Sequence, residues 1–485
     1  EYDLTWEASE DSEVEFMVSL AADGISSVFV PVRTLNTYQN LSLNVWVTDN
    51  AQYATRRFDR LCAEMLGTEA KPYLIATKED LRHIGLTAQG YADAADYGFA
   101  NFYDTWYSPV TIDESGACHN YEDKVYFKLL SDIDMTRDVI YTFDPVTKEL
   151  LDVEVKAPNW DSDTSNDNHY IGDITSETYP GSITFKGIDF AGNDFRINNF
   201  TSTKEFLYGV SNLSEIKDVV FVNLNIDSRG TANENTGTAL ARNNAGVVDG
   251  CMILSGSVAG GNNVASVIAF NSGTVKNTSV KVNVTGNTLV GGIVAVNNEG
   301  ASVETSAYGG GTVSTAAASQ TNAFAGALTG SNSGHIIDCF TMGNVTSSNG
   351  ANALGGITGT NVGTGLIENA FSRTSVSGYD NIGGFAGLNA GTIKNAFSAG
   401  QVTVDANAVQ TGVFCGTNTG TVTDAFADKS ISGSSTYARL EDTTPTGCIM
   451  SMTYFSAAAQ AVYVKSLSET AYPQLKAITE LDSGY

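Results

Sequence analysis

Gly383-Gly384-Phe385-Ala386-Gly387-Leu388-Asn389-Ala390-Gly391-Thr392-Ile393-Lys394-Asn395-Ala396-Phe397 is the stretch on which the fold turns. A Gly-rich apolar run leads into Asn-x-Gly. Two places after that Gly stands a β-branched residue, four places after it a short polar one, and six places after it Phe. The same order recurs between about 239 and 427 at intervals of roughly 28 residues. Its asparagines are Asn244, Asn271, Asn297 or Asn298, Asn332, Asn361, Asn389 and Asn418. The plus-two residues are Val248, Val275, Ile336, Ile393 and Val422, and the plus-four residues include Asn277, Asp338, Asn395 and Asp424. Gly250 takes the plus-four place in the first unit, and counting from Gly365 restores the register with Ile367, Asn369 and Phe371. Near Gly300 the unit is shifted by about one residue, with Val303 in the apolar place, and the long step to Asn332 is assigned to an insertion around Gly309-Gly310-Gly311.

A unit of this length, made of short β-runs, cannot bury its own apolar face, so it must stack on copies of itself. The spacing predicts an all-β chain built as a right-handed parallel β-helix. Corner Gly and Asn residues are expected in the left-handed backbone conformation that β-branched residues resist. Short polar side chains at plus four can bond nearby backbone. The asparagines Asn244, Asn271, Asn332, Asn361, Asn389 and Asn418 are expected to form one structural ladder, and Phe340, Phe371, Phe397 and Phe426 at plus six a second, aromatic one. Cys251 and Cys339 share plus five with Thr278, Ala370, Ala396 and Ala425, so they should point into the core. Three coils apart, at about 4.8 Å per coil, they lie beyond disulfide reach of each other.

Working outward, the 485 residues are 42% hydrophobic and 16% charged, with 48 Gly and 8 Pro, which fits a turn-rich β protein and not a disordered chain. A net charge of -28 excludes general binding to nucleic acid or to an anionic membrane surface. No apolar run of about 18 residues is present, so no membrane-spanning helix is expected. The chain opens Glu1-Tyr2-Asp3, without Met or a signal sequence, as a processed secreted protein or a trimmed chain would. It ends Leu481-Asp482-Ser483-Gly484-Tyr485 without a wall-sorting motif.

Trp6, Trp46, Trp106 and Trp160 all lie in the first third, and no Pro falls between Pro180 and Pro445, a shift that marks separate regions. Residues 1–71 read as a small β-rich module, with strands around Val14–Val18, Ser27–Val30 and Leu43–Val47 and a short helix over Tyr53–Met65. Residues 72–205 read as a cap and first coils with long inserted loops. Residues 206–485 hold the repeat coils and a closing segment.

The segments Gly383–Phe397 and Gly355-Gly356-Ile357-Thr358-Gly359-Thr360-Asn361 closely resemble the GLUG-motif repeats of bacterial surface proteins. Pro72–Leu81 resembles the short cap that opens such β-helices, Tyr126–Asp134 their first strand, and Phe185–Asn199 their Gly-rich coil before the repeats. Tyr472-Pro473-Gln474-Leu475-Lys476 is similar to their closing strand. The resemblance implies an extracellular, adhesin-like or scaffold protein, a kind that sometimes flanks a peptidase domain, and it supplies no catalytic residues.

The residues themselves offer little chemistry. Of the four histidines, His83, His119, His169 and His335, none forms a His-Glu-x-x-His pair; His83 falls on the cap, and His335 is read as a solvated corner residue. Asp173, Asp189 and Asp194 are the nearest candidates for paired catalytic carboxylates, and no Lys or Arg can be placed beside them. In Asn159–His169, Asp161, Asp163 and Asp167 space oxygens at alternate residues, as a Ca2+ loop does, but the Gly and the terminal Glu of an EF-hand are missing; an exposed polar loop is the plainer reading. Trp160 beside it suits a carbohydrate platform or a buried loop anchor. Of the remaining cysteines, Cys62 and Cys118 could pair.

The preferred expectation is a non-enzymatic surface adhesin or rigid display scaffold on the outside of a bacterium, with a glycan or surface protein as partner and no obligatory cofactor. Binding is expected on loops that break the register: Ala301–Thr321, and Tyr91–Tyr121 with Trp106 and Tyr107. The aromatic residues there suit sugar or protein contact, or packing over the open end of the helix. A polysaccharide lyase or hydrolase on the same fold, and a filament or pilus subunit self-associating through residues 1–71, are the competing readings.

Overall fold

The computed structural model describes residues 195–428, except short stretches at 211, 213–214, 231–235, 316–322, 348–352 and 405–409, together with separate short segments before that span and residues 457–464 and 474–478 after it. The chain winds as a parallel β-helix. Each coil follows one course, shown by the coil that begins at Leu289. The strand Leu289–Gly291 bends at buried Ile293 into Val294–Asn297, which ends on the repeat asparagine. The chain then turns into Ser302–Glu304, passes a left-handed corner at Thr305, and returns through Ala307–Gly310 and Thr312–Thr315. Repetition of the first strand builds a seven-stranded sheet, the second a nine-stranded sheet, and the rest a 24-stranded wrapping sheet.

Strands pair parallel and in register from coil to coil. Val248, Val275, Val303, Ile336, Ile367, Ile393 and Val422 succeed one another in a single column, buried except in the last coil. β-Branched side chains fit here because they pack well on a pleated surface. The plus-four corner is Asp218, Gly250, Asn277, Thr305, Asp338, Asn369, Asn395 and Asp424, with φ between 45° and 68° throughout. Asn, Asp and Gly tolerate this conformation, and Thr305 is the one β-branched residue held in it, at φ 45°. Gly250 therefore does at its corner what Asn or Asp does at the others.

Two expectations need correction, and one open choice is decided. The in-register glycines of Asn-x-Gly are not left-handed, although Gly300 of the shifted unit is, at φ 81°: a Cβ on Gly273 or Gly420 would run into the carbonyl oxygen of Gly246 or Gly391 one coil away, so they permit close stacking and not a special turn. The column member is Asn297, while Asn298 lies in the turn and donates to Ser272 Oγ at 2.9 Å. The insertion is also spread out. Gly309 is one extra residue, a β-bulge between Tyr308 opposite Val280 and Gly310 opposite Lys281, and most of the surplus lies between Thr315 and Phe324, where the preceding coil needs only Gly286 to Leu289.

Before the repeats, Tyr73–Ile75, Val125–Leu129, Gly181–Thr184 and Glu215–Lys217 already pair parallel, strand on strand. Between them fall antiparallel pairs, Val110–Ile112 with Cys118–Asn120 and Asp138–Phe143 with Leu150–Lys156. At the N-terminus Tyr2–Glu7 pairs antiparallel with Asn40–Val45. The helix expected over Tyr53–Met65 and the strands at Val14–Val18 and Ser27–Val30 lie outside the described residues. Among the described residues, no helix is long and apolar enough to cross a membrane.

The main core runs the length of the coils. Phe385 and Phe414 stack within it at 4.6 Å, and Tyr308 lies fully buried with its hydroxyl donating to the Val282 carbonyl at 2.6 Å. Cys251, Cys339 and Cys415 are buried and unbridged, and burial pushes the Cys251 and Cys415 thiols up to about 12. Such thiols are packing groups and not nucleophiles. The pairing of Cys62 with Cys118 concerns side chains outside the described residues.

Candidate interaction surfaces of the solenoid

Two columns of the repeat are interior and flank contacts that leave the remaining faces free for other work. Along the end of the second sheet, each asparagine Nδ2 donates to the Oδ1 of the asparagine one coil on: Asn244 to Asn271, Asn271 to Asn297, Asn297 to Asn332, Asn332 to Asn361 and Asn361 to Asn389 at 2.8 Å, and Asn389 to Asn418 at 2.7 Å. The second amide hydrogen reaches a backbone carbonyl, as from Asn271 to Ser302 at 3.0 Å, and Oδ1 also accepts from the backbone N–H two residues on, as from Gly273 at 3.3 Å. Each interior amide is thereby saturated, which is what allows it to be buried without cost.

Phe340, Phe371, Phe397 and Phe426 form the other column, on the outside of the wrapping sheet. The first three rings stack at 5.0 and 4.9 Å with interplanar angles of 6° and 2°. They are buried because the chain returns over them. The helix Ala457–Val462 leads into Tyr463–Val464, which pairs antiparallel with Gln474–Leu475 and does not extend the parallel ladder. Tyr463 and Leu475 pack on the phenylalanines, and the Tyr463 hydroxyl donates to the carbonyls of Asn395 at 2.8 Å and Ala370 at 3.1 Å. This returning segment is called the clasp below.

The outward side chains of the first strand of the wrapping sheet form a charged column at plus three: Lys217, Asp249, Lys276, Glu304, Ile337, Glu368 and Lys394. Lys276 pairs with Asp249 at 3.4 Å and Lys394 with Glu368 at 2.6 Å. His335, expected at a corner, sits within the strand His335–Ile337, where Nε2 lies 3.1 Å from Glu368 Oε1. The correction follows from the register, which places His335 beside Ser302 and Leu366. Beside this group the Asp338 carboxyl is held above the usual carboxylate range, by burial first and then by the charges of Glu368 and Glu304, against a hydrogen bond from Asn369. Opposite charges meet on either side of Ile337, as Lys276 with Asp249 and Lys394 with Glu368, so the column reads as a set of inter-coil ties before it reads as a reaction centre.

The last strand of the coil is different. Its outward residues form two columns, Asn225, Ser257, Asn283, Thr312, Asn344 and Ser375 in one and Thr285, Ser314, Thr346, Ser377 and Thr403 in the other. Coils repeat at about 4.8 Å and alternate residues at about 6.7 Å, so this is a flat lattice of hydroxyl and amide groups. From the coil of Ser257 to that of Thr403 those columns carry no charge, on a chain with a net charge of -28; one coil earlier the second column holds Asp227, paired with Arg229 at 2.6 Å. Nothing in the motif spacing alone marks this face, because its residues vary among Ser, Thr and Asn and share only their lack of charge.

The residues singled out for binding, Trp106, Tyr107 and Trp160, and those for Ca2+, Asp161, Asp163 and Asp167, lie outside the described residues. So do Asp189 and Asp194, while Asp173 falls in the short strand Asp173–Ile174. Among the described residues no His, Cys, Asp and Glu side chains group as a metal site.

No protein-family model matches the chain, and no curated protein matches it. Among solved structures it is similar to a Bacteroides ovatus protein provisionally described as an immunoglobulin A1 protease, at 17% identity and a TM-score of 0.34, over 85% of this chain and 94% of that one. A likeness of that size bears on neither activity nor partner.

Proposed function

We propose that this chain is a rigid display and adhesion module of the GLUG-repeat kind, carried on the outside of a bacterium, that holds a neutral, repetitive ligand such as a glycan without transforming it. One observation carries the reading: a strongly acidic chain keeps this face free of charge from the coil of Ser257 to that of Thr403 and lines it with evenly spaced hydroxyl and amide groups. An extended concave or flat solenoid face suits a ligand that repeats as the coils do. Each contact is weak, and many in register add up.

The test is incubation of the purified chain with glycans and surface proteins, scoring both retained protein and released product. Retention without product is expected, together with loss of retention when Asn344, Thr346 and Ser375 are each changed to Asp. Retention that survives those changes would move binding to another face. A second reading has one observation in its favour: Glu304 and Glu368 both act on the half-buried Asp338 carboxyl, and Glu368 pairs with Lys394 at 2.6 Å. Release of product, abolished by Glu368→Gln, would establish a polysaccharide-processing enzyme instead.

A further inference from the structure

We propose that the clasp is exchangeable, so that the clasp of one molecule closes over the Phe column of a second copy and the two form a reciprocal dimer. The first argument is placement. In the earlier coils the same outward column is Val220, Met252, Ser279 and Ala307, and it becomes Phe only at Phe340, Phe371, Phe397 and Phe426. Stacking of coils does not require the aromatic rings; the clasp does. The complementary surfaces are both encoded in one chain, so every second copy carries the partner that fits.

The clasp is also a self-contained unit. Its helix and paired strands are tied to each other, with Lys476 Nζ donating to the Ala461 carbonyl at 2.7 Å. Among its described residues, Tyr463 and Leu475 are the buried anchors. It docks on the flank of the solenoid and not across its end, where a neighbouring solenoid could present the same flank. The 28 residues between Asp428 and Ala457 span up to about 90 Å when drawn out, so chain continuity does not confine the clasp to its own coils. Exchange of an identical element is isologous and closes at two copies.

The experiment uses the full chain, warmed briefly to let clasps open and then sized by light scattering over a wide range of concentration. The expected result is a dimer whose fraction rises with concentration. Tyr463→Ala with Leu475→Ala should remove it, leaving monomers at every concentration, since a clasp without its two buried anchors holds neither its own column nor a partner's. Both changes lie outside the coils, so the β signal in circular dichroism should be unchanged. Mixing that variant with a Phe371→Ala, Phe397→Ala chain should restore a heterodimer, because one intact clasp then meets one intact column. A chain that remains monomeric at every concentration, or a dimer indifferent to the loss of Tyr463 and Leu475, overturns the proposal.

Discussion

The asparagine column and the phenylalanine column obey the same period and sit on opposite sides of the wall. Polar amides are inside, 0–2% exposed from Asn244 to Asn389, while the aromatic rings are outside. A simple inside-outside rule inverts both. The amides can be interior because each satisfies its neighbour, and the rings can be exterior because the clasp covers them. Within the strand the alternation is strict: Ala370 and Ala396 point into the main core, Phe371 and Phe397 away from it. A repeat period thus fixes where a residue recurs, whereas its partners decide which side it serves.

The columns should fail differently. Asn332→Leu removes a saturated amide from the middle of its ladder and leaves buried groups on Asn297 and Asn361 short of partners, so a loss of about 4 kcal/mol is expected in denaturant unfolding. Phe371→Ala should cost about 3 kcal/mol. The two losses separate in a second background: with Tyr463→Ala and Leu475→Ala already present, the Phe371 effect should shrink, and the Asn332 effect should stay whole.

Smaller changes sharpen the contrast. Tyr463→Phe removes one hydroxyl while the ring keeps its contact with Phe397, and about 1 kcal/mol is expected from a thermal midpoint. Asp338→Asn should stabilise by less than about 1 kcal/mol at neutral pH. The folded Asp338 carboxyl holds its proton more tightly than the unfolded one. Its burden therefore appears as pH rises through the ordinary carboxylate range to the raised value, so the gain should vanish in acid. Unfolding midpoints of both chains across that range check the sign.

Some of this organisation is legible in the residues and some is not. Val275 and Ile393 mark coil walls because a β-branched residue at a constant offset from Gly has one place to go. The corner shows in Asn277 and Asn395 because few side chains accept its backbone. The role of Gly273 is not legible from spacing: left-handed turns and close stacking both select Gly, and only the position of the Gly246 carbonyl decides between them. The clasp is equally hidden, since Tyr463 meets Ala370 across 93 residues and no local pattern joins them. Trp160 and Asp163 stand out in the sequence because aromatic and acidic side chains are conspicuous. The lattice at Ser257, Thr312 and Asn344 does not, because each of its residues is unremarkable alone.

Coil-to-coil register underlies every surface described, and one cross-link tests it. Ser331 and Thr360 are register partners on the outside of the second sheet, and Leu388 follows Thr360 one coil further on. Neighbouring coils place Cα atoms about 4.8 Å apart, within disulfide range, and a skipped coil about twice that, outside it. Mild oxidation should therefore join Ser331→Cys to Thr360→Cys in one chain, read by peptide mass. A chain carrying Ser331→Cys and Leu388→Cys should stay unjoined. Cross-linking of the skipped pair in place of the adjacent one would contradict the stacking and everything built upon it.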